Sequence, residues 1–92
     1  MNELARLVSV ERERRGLSRS VVARRSRGAV SGPDLRSIES GDWTSPPAEL
    51  LTGIAQGMEP RDTLARGALR VELFLAVGLL TAADIEAWRA AA

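Results

Sequence analysis

Cysteine and histidine are both absent from the 92 residues. Without cysteine there is no disulfide framework and no thiolate metal site, and the redox compartment is left unconstrained. Without histidine, imidazole catalysis and most zinc sites are excluded. Lysine is missing too, because all thirteen cations are arginine, which closes off amine nucleophiles. Only carboxylates remain for acid–base work, and the twelve acids fall in expected helix caps or on solvent faces. No glycine loop of phosphate-cradling spacing occurs, since Gly53 and Gly57 fall in a helical pattern. The expectation is a protein that is not an enzyme, with no metal, no cofactor and no small-molecule ligand. Aromatic residues are limited to Trp43, Phe74 and Trp88. The apolar run 71–80 carries Glu72 and falls well short of the roughly 20 residues a spanning helix needs. The chain is charged from near its start and shows no signal peptide, so no membrane partner and a cytoplasmic location are expected. Binding of the arginines to anionic lipid is disfavoured by the shortage of apolar residues beside them.

What the chain does have is abundant Ala, Leu and Arg, a composition that favours helix. Its length suits one domain with a modest core. Net charge is only +1, but it is unevenly placed. Residues 1–45 hold nine Arg against six acids, a net +3, and residues 46–92 hold four Arg against six acids, a net −2. A high-GC coding preference would supply arginine without any function, yet it does not explain this asymmetry. Arginine also binds phosphate bidentately, where lysine acts as a point charge.

The stretch 18–41, SRSVVARRSRGAVSGPDLRSIESG, reads as two short helices joined by a tight connection. Ser18 is placed to cap the first, Val21, Val22 and Ala23 supply apolar contact, and Arg24, Arg25 and Arg27 crowd its end. Ser31 is placed to cap the second, with Pro33 in the first turn, where a missing N–H costs nothing. Leu35 and Ile38 make its inward stripe and Gly41 ends it. Helices this short need a scaffold.

The scaffold is legible on both sides. A helix over about 2–15 carries Leu4, Leu7 and Val8 on one face, with Asn2 as cap and Gly16 as terminator. Pro46 and Pro47 make 41–47 a loop, and Trp43 within it either covers a core edge or meets a partner. A fourth helix spans about 47–56 with Leu50, Leu51, Ile54 and Ala55 inward, Gly57 ending it, and Met58 and Pro60 in the loop beyond. The fifth, about 61–77, starts near Glu59 as a poor cap, with Leu64, Ala65, Ala68 and Leu69 as its core set. A sixth starts at Thr81, whose spacing to Asp84 resembles a capping box, with Ile85 and Trp88 as its stripe. The fold class is all-α, five or six helices.

Three strings, R-E-R-R-G-L-S-R-S-V-V-A (12–23), V-S-G-P-D-L-R-S-I-E-S-G (30–41) and P-x-E-L-L-x-x-I-A-x-G (47–57), together resemble the helix-turn-helix domain of the lambda-repressor, Cro and XRE-type regulators. The resemblance covers about two thirds of the chain. It implies a DNA-binding core over 1–64 and a C-terminal helical extension over 65–92 that packs on the core, dimerises, or both. It further implies a transcriptional regulator of the small phage- or mobile-element type. Its partners would be double-stranded DNA with inverted half-sites and a second copy of the chain. Arg12 and Glu39 match positions that form a buried ion pair in relatives. Arg19 matches a backbone-contacting position, with Ser18, Arg27, Ser40 and Trp43 placed as further backbone contacts. The base-reading positions fall on Arg36, Ser37, Ser31, Gly32 and Pro33. Two departures are plain. Gly32 and Pro33 offer no side-chain donor where relatives carry Gln, Arg or Asn, so no bidentate base contact is available there. The connection before the second helix of the pair is also about two residues longer than usual, which brings Arg27 into consideration.

Val71, Leu73, Phe74, Leu75, Val77, Leu79 and Leu80 are too many apolar groups for one face of a surface helix. Either the sixth helix folds over them or a second subunit does, with Val71, Phe74, Leu75, Leu79 and Trp88 as contact residues. A second function fits the same residues: a helix-turn-helix fold turned to binding another protein through 71–80.

Overall fold

Asn2 fixes where the first helix begins, because its side-chain oxygen accepts the Ala5 N–H at 2.7 Å and satisfies an otherwise orphaned donor. The computed structural model describes residues 2–91. Among these there are six helices and no strand, and none of the helices is long and apolar enough to cross a membrane. They are α1 (Glu3–Arg14), α2 (Arg19–Arg25), α3 (Gly32–Glu39), α4 (Ala48–Met58), α5 (Thr63–Ala76) and α6 (Ala82–Ala91). The all-α expectation holds.

Helix α4 is the hub. It packs against α2 on one side and α5 on the other, while α1 bridges α3 and α5 and α2 also touches α3. Leu51, Ile54 and Ala55 of α4 are fully buried with Leu4 and Val8 of α1, Val22 of α2, and Leu35 and Ile38 of α3. Each such Leu, Ile or Val side chain contributes about 1.5–3 kcal/mol over an exposed one, which is how α2 and α3 persist at seven and eight residues. Leu69 and Leu73 belong to the same cluster, so the core continues through α5 well past residue 64.

Several boundaries differ from the sequence reading. Gly57 does not end α4, and Met58 is not in a loop. Both lie inside the helix and are buried. Gly57 is there because α2 crosses at that point: a Cβ would fall on the Val22 carbonyl oxygen and within 2.8 Å of its Cγ1. Gly53, one turn earlier, leaves room for the Ala29 methyl in the same way. Asp62, not Glu59, caps α5 by accepting the Ala65 N–H at 3.0 Å, so that helix starts at Thr63. Leu64 and Ala68 are exposed, Leu64 to 87%. At about 100° per residue, neither can share a face with Leu69 and Leu73. The α6 start is as expected: Asp84 donates its N–H to Thr81 Oγ1 at 3.2 Å and accepts the Thr81 N–H at 2.9 Å. Helix α6 nevertheless buries no residue fully.

Candidate nucleic-acid interface

Both helices of the central pair are capped as read. Ser18 Oγ accepts the Val21 N–H at 3.2 Å. Ser31 Oγ accepts the Asp34 N–H at 3.1 Å, and Asp34 accepts the Ser31 N–H in return at 3.0 Å, a complete capping box. Both cap hydroxyls keep a proton to donate outward. At the far end of α3, the Ser37 carbonyl accepts the N–H groups of Asp42 and Trp43 at 2.9 and 3.1 Å, and the Ser40 hydroxyl at 3.0 Å. Gly41 has φ +87°, the left-handed turn that a glycine supplies at no steric cost.

The connection between α2 and α3 is pinned at both ends. Ser26 is buried, donates its hydroxyl to the Ala23 carbonyl at 2.7 Å and accepts the Val30 N–H at 3.1 Å. Val30 enters the core. Between these anchors Arg27 sits at φ +57° and Gly28 at φ +88°. A left-handed arginine is uncommon and costs about 1–2 kcal/mol, so the added turn residues hold an exposed cation in a strained position.

Under α3 lies the ion pair. Arg12 Nε and Nη2 donate to the two Glu39 oxygens at 2.8 and 2.7 Å, a bidentate fork, and Arg12 Nη1 donates to the Leu17 carbonyl at 2.9 Å. Two further partners were not legible in the sequence. Ser9 donates to Glu39 Oε1 at 3.2 Å, and Arg19 Nη2 donates to the same oxygen at 3.1 Å. Burial pushes the Glu39 carboxyl up, but the hydrogen bonds and charges of Arg12 and Arg19 outweigh it and hold the group below its usual range. Arg19 is thus shared with Glu39, while about two fifths of its side chain (38%) is exposed. Glu39 faces both guanidinium groups, and the exposed Glu13 carboxylate stands 3.8 Å from Arg12 as well.

That cluster opens on a cleft of 410 Å³ between the N-termini of α2 and α3, lined by Arg12, Ser18, Arg19, Ser20, Gly32, Pro33 and Arg36. Gly32 leaves open space where a Cβ would stand, and Pro33 and Arg36 are exposed beside it. Ser37 is half-buried and Ser31 exposed. Arg27 does not line this cleft. Ser20 does, and its position in the first turn of an exposed helix was the only signal for it. Trp43 packs against the core, which fits the reading of that ring as an edge cover.

Among the described residues, Arg6, Arg12, Arg14, Arg15, Arg19 and Arg89 make ion pairs, whereas Arg24, Arg25, Arg27 and Arg36 have no acidic partner. The unneutralised charge of the N-terminal half thus lies on the end of α2, its connection and α3. Of the expected partner contacts, Val71 and Phe74 line a groove with Arg70, Leu80 and Trp88, but α6 packs only loosely there and buries none of its own residues. Leu75, Leu79 and Trp88 remain exposed. No family model, curated protein or solved structure matches the chain.

Proposed function

We propose that the protein is a sequence-specific DNA-binding regulator of the helix-turn-helix type that places α3 in the major groove. The observation that carries this reading is the cleft shared by Arg12, Arg19 and Arg36 at the adjoining N-termini of α2 and α3. A phosphate there would meet the Arg19 and Arg36 guanidinium groups and the Ser18 cap hydroxyl together, and helix N-termini favour anions. The inner face of α3 is locked by Leu35, Ile38 and Glu39, so its outer residues are held rigidly, as readout requires. Arg36 is the one outward side chain able to fork onto a guanine edge. Gly32 and Pro33 contribute close approach instead of hydrogen bonds, and sequence preference at their level rests on duplex shape. Arg27, Ser18 and Ser40 act on the backbone.

Selection of bound fragments from random duplex DNA tests this. Arg36→Ala should weaken the selected site by about 1–3 kcal/mol and leave nonspecific binding in place. Arg27→Ala should weaken all sequences alike and lower the salt slope by about 1. Equal losses on every sequence for both variants would show the roles to be misassigned.

The exposure of Leu75, Leu79 and Trp88, with the missing donors at Gly32 and Pro33, favours a second reading: a protein-interaction module working through 71–80. Such a module would retain no specific duplex in the same selection.

A further inference from the structure

Two cavities flank α5, and Arg70 lines both. The first, of 200 Å³, lies between α4 and α5 and is lined by Thr52, Gln56, Thr63, Arg66, Gly67 and Arg70. The second, of 180 Å³, lies where α6 packs loosely on α5 and is lined by Arg70, Val71, Phe74, Leu80 and Trp88. The α5 residues among them recur at helical spacing from Thr63 to Phe74, so both cavities follow one face of one helix. Its first half is polar and cationic, its second apolar. No carboxylate lines either cavity. Among the described residues no acid lies within ion-pair distance of Arg66 or Arg70. Arg66 is held by neutral acceptors, the Glu59 and Pro60 carbonyls at 3.3 and 3.1 Å, while the Glu59 carboxylate is taken by Arg15. Like charges four residues apart on a helix repel, and this pair stands without a counter-charge. Gly67 lies between the two arginines, with open space where a Cβ would stand. A glycine in mid-helix weakens it relative to alanine, and no contact in the chain requires one there. Its effect is to keep the first cavity open.

We infer that this groove binds a small carboxylic acid with an apolar tail, its head on Arg66 and Arg70 and its tail on Phe74 and Trp88. Guanidinium groups fork onto carboxylates, and the Thr52 and Thr63 hydroxyls and the Gln56 amide offer further donors beside them. Apolar walls with a few convergent polar groups are what small-ligand sites present. At 1.5 Å per residue, Arg66 and Phe74 lie about 12 Å apart along α5, which suits a tail of about six to ten carbons. An uncharged tail would leave the arginines unpaired, and an inorganic anion would leave the apolar half empty. The groove draws on α4, α5 and α6, so no local stretch of sequence announces it, and the sequence alone gives no small-molecule ligand.

Titration of the full chain with octanoate, kept below its micellar concentration, tests this without DNA and so apart from the nucleic-acid reading. The Trp88 indole N–H resonance, told from that of Trp43 by a Trp43→Phe variant, should shift saturably, with half-saturation below about 1 mM. Acetate, which lacks the tail, and octanol, which lacks the charge, should each bind at least about tenfold more weakly. Arg70 is exposed, so Arg70→Gln should keep the thermal midpoint and lose about tenfold in affinity. Gly67→Leu should fill the first cavity and abolish binding with the midpoint unchanged or raised, which separates a blocked site from a damaged fold. No saturable shift, equal affinity for octanol, or undiminished binding in Gly67→Leu would each overturn the inference. So would a response to anionic phospholipid vesicles but not to dispersed octanoate.

Discussion

Arg19 reaches across from α2 to share an oxygen of Glu39 with Arg12, at 3.1 Å against 2.7 Å. This makes a carboxylate at the end of α3 the point where α1, α2 and α3 are tied together. It also ties the surface to the core, because Glu39 is buried while Arg19 faces the cleft. The same link that orders α3 therefore orients a cation at its exposed flank.

Glu39→Ala should be among the most damaging single changes in this part of the chain. It strands two guanidinium groups, one of them largely buried, and breaking such a pair costs about 3–5 kcal/mol. Urea unfolding monitored by helical signal measures it. A loss below about 1 kcal/mol would mean that water replaces the carboxylate at no significant cost.

Acid should weaken the fold through the same group. The Glu39 carboxyl in the folded chain sits below its usual range, as does Glu11, which hydrogen bonds from Arg14 and Arg15 lower despite some burial. The unfolded chain then binds protons more readily than the folded one, so stability is complete above the ordinary Glu range and is lost as pH falls through and below it. The thermal midpoint should drop between neutral pH and about pH 3, the region below ordinary Glu titration. Glu39→Gln should start lower and fall less steeply, and parallel curves would remove Glu39 from the acid response.

Gly57→Ala and Gly67→Ala should have opposite signs. At Gly57 the added methyl meets the Val22 backbone, and forcing α2 away costs about 1–3 kcal/mol, more than the gain in helix propensity. At Gly67 the space is open and the single chain should gain up to about 1 kcal/mol. Denaturant midpoints of the two variants, measured dilute, decide it.

Arg27→Gly should separate stability from binding. Its left-handed backbone suits glycine, so the fold should gain about 0.5–1 kcal/mol, while every duplex loses one phosphate contact. A variant that is less stable would place the turn under some other control.

The caps show what local sequence encodes well. Asn2, Ser18, Ser31 and Thr81 each precede an apolar pattern, and each acts within three residues, so no tertiary information is needed to find them. The Arg12–Glu39 pair came from resemblance, since nothing local joins residues 27 apart. A glycine near an expected helix end reads as a terminator, which puts Gly57 and Met58 outside α4, whereas the cause of Gly57 is a crossing helix remote in sequence. The exposure of Leu64 has a related reason. An apolar residue marks a face without saying whether that face meets the chain's own core. The tie from Arg19 to Glu39 is not legible in the sequence, because the neighbours of Arg19 say nothing of a carboxylate 20 residues on.

The most direct measurement is the affinity of the wild-type chain and of Arg36→Ala for duplexes selected from a random pool, compared with scrambled duplexes at physiological salt. The expected result is an enriched sequence bound well above scrambled DNA by the wild type, with the preference of Arg36→Ala cut by about 1–3 kcal/mol and its binding to scrambled DNA unchanged. Failure to enrich any sequence, or an unchanged preference in Arg36→Ala, would contradict the placement of α3 in the groove.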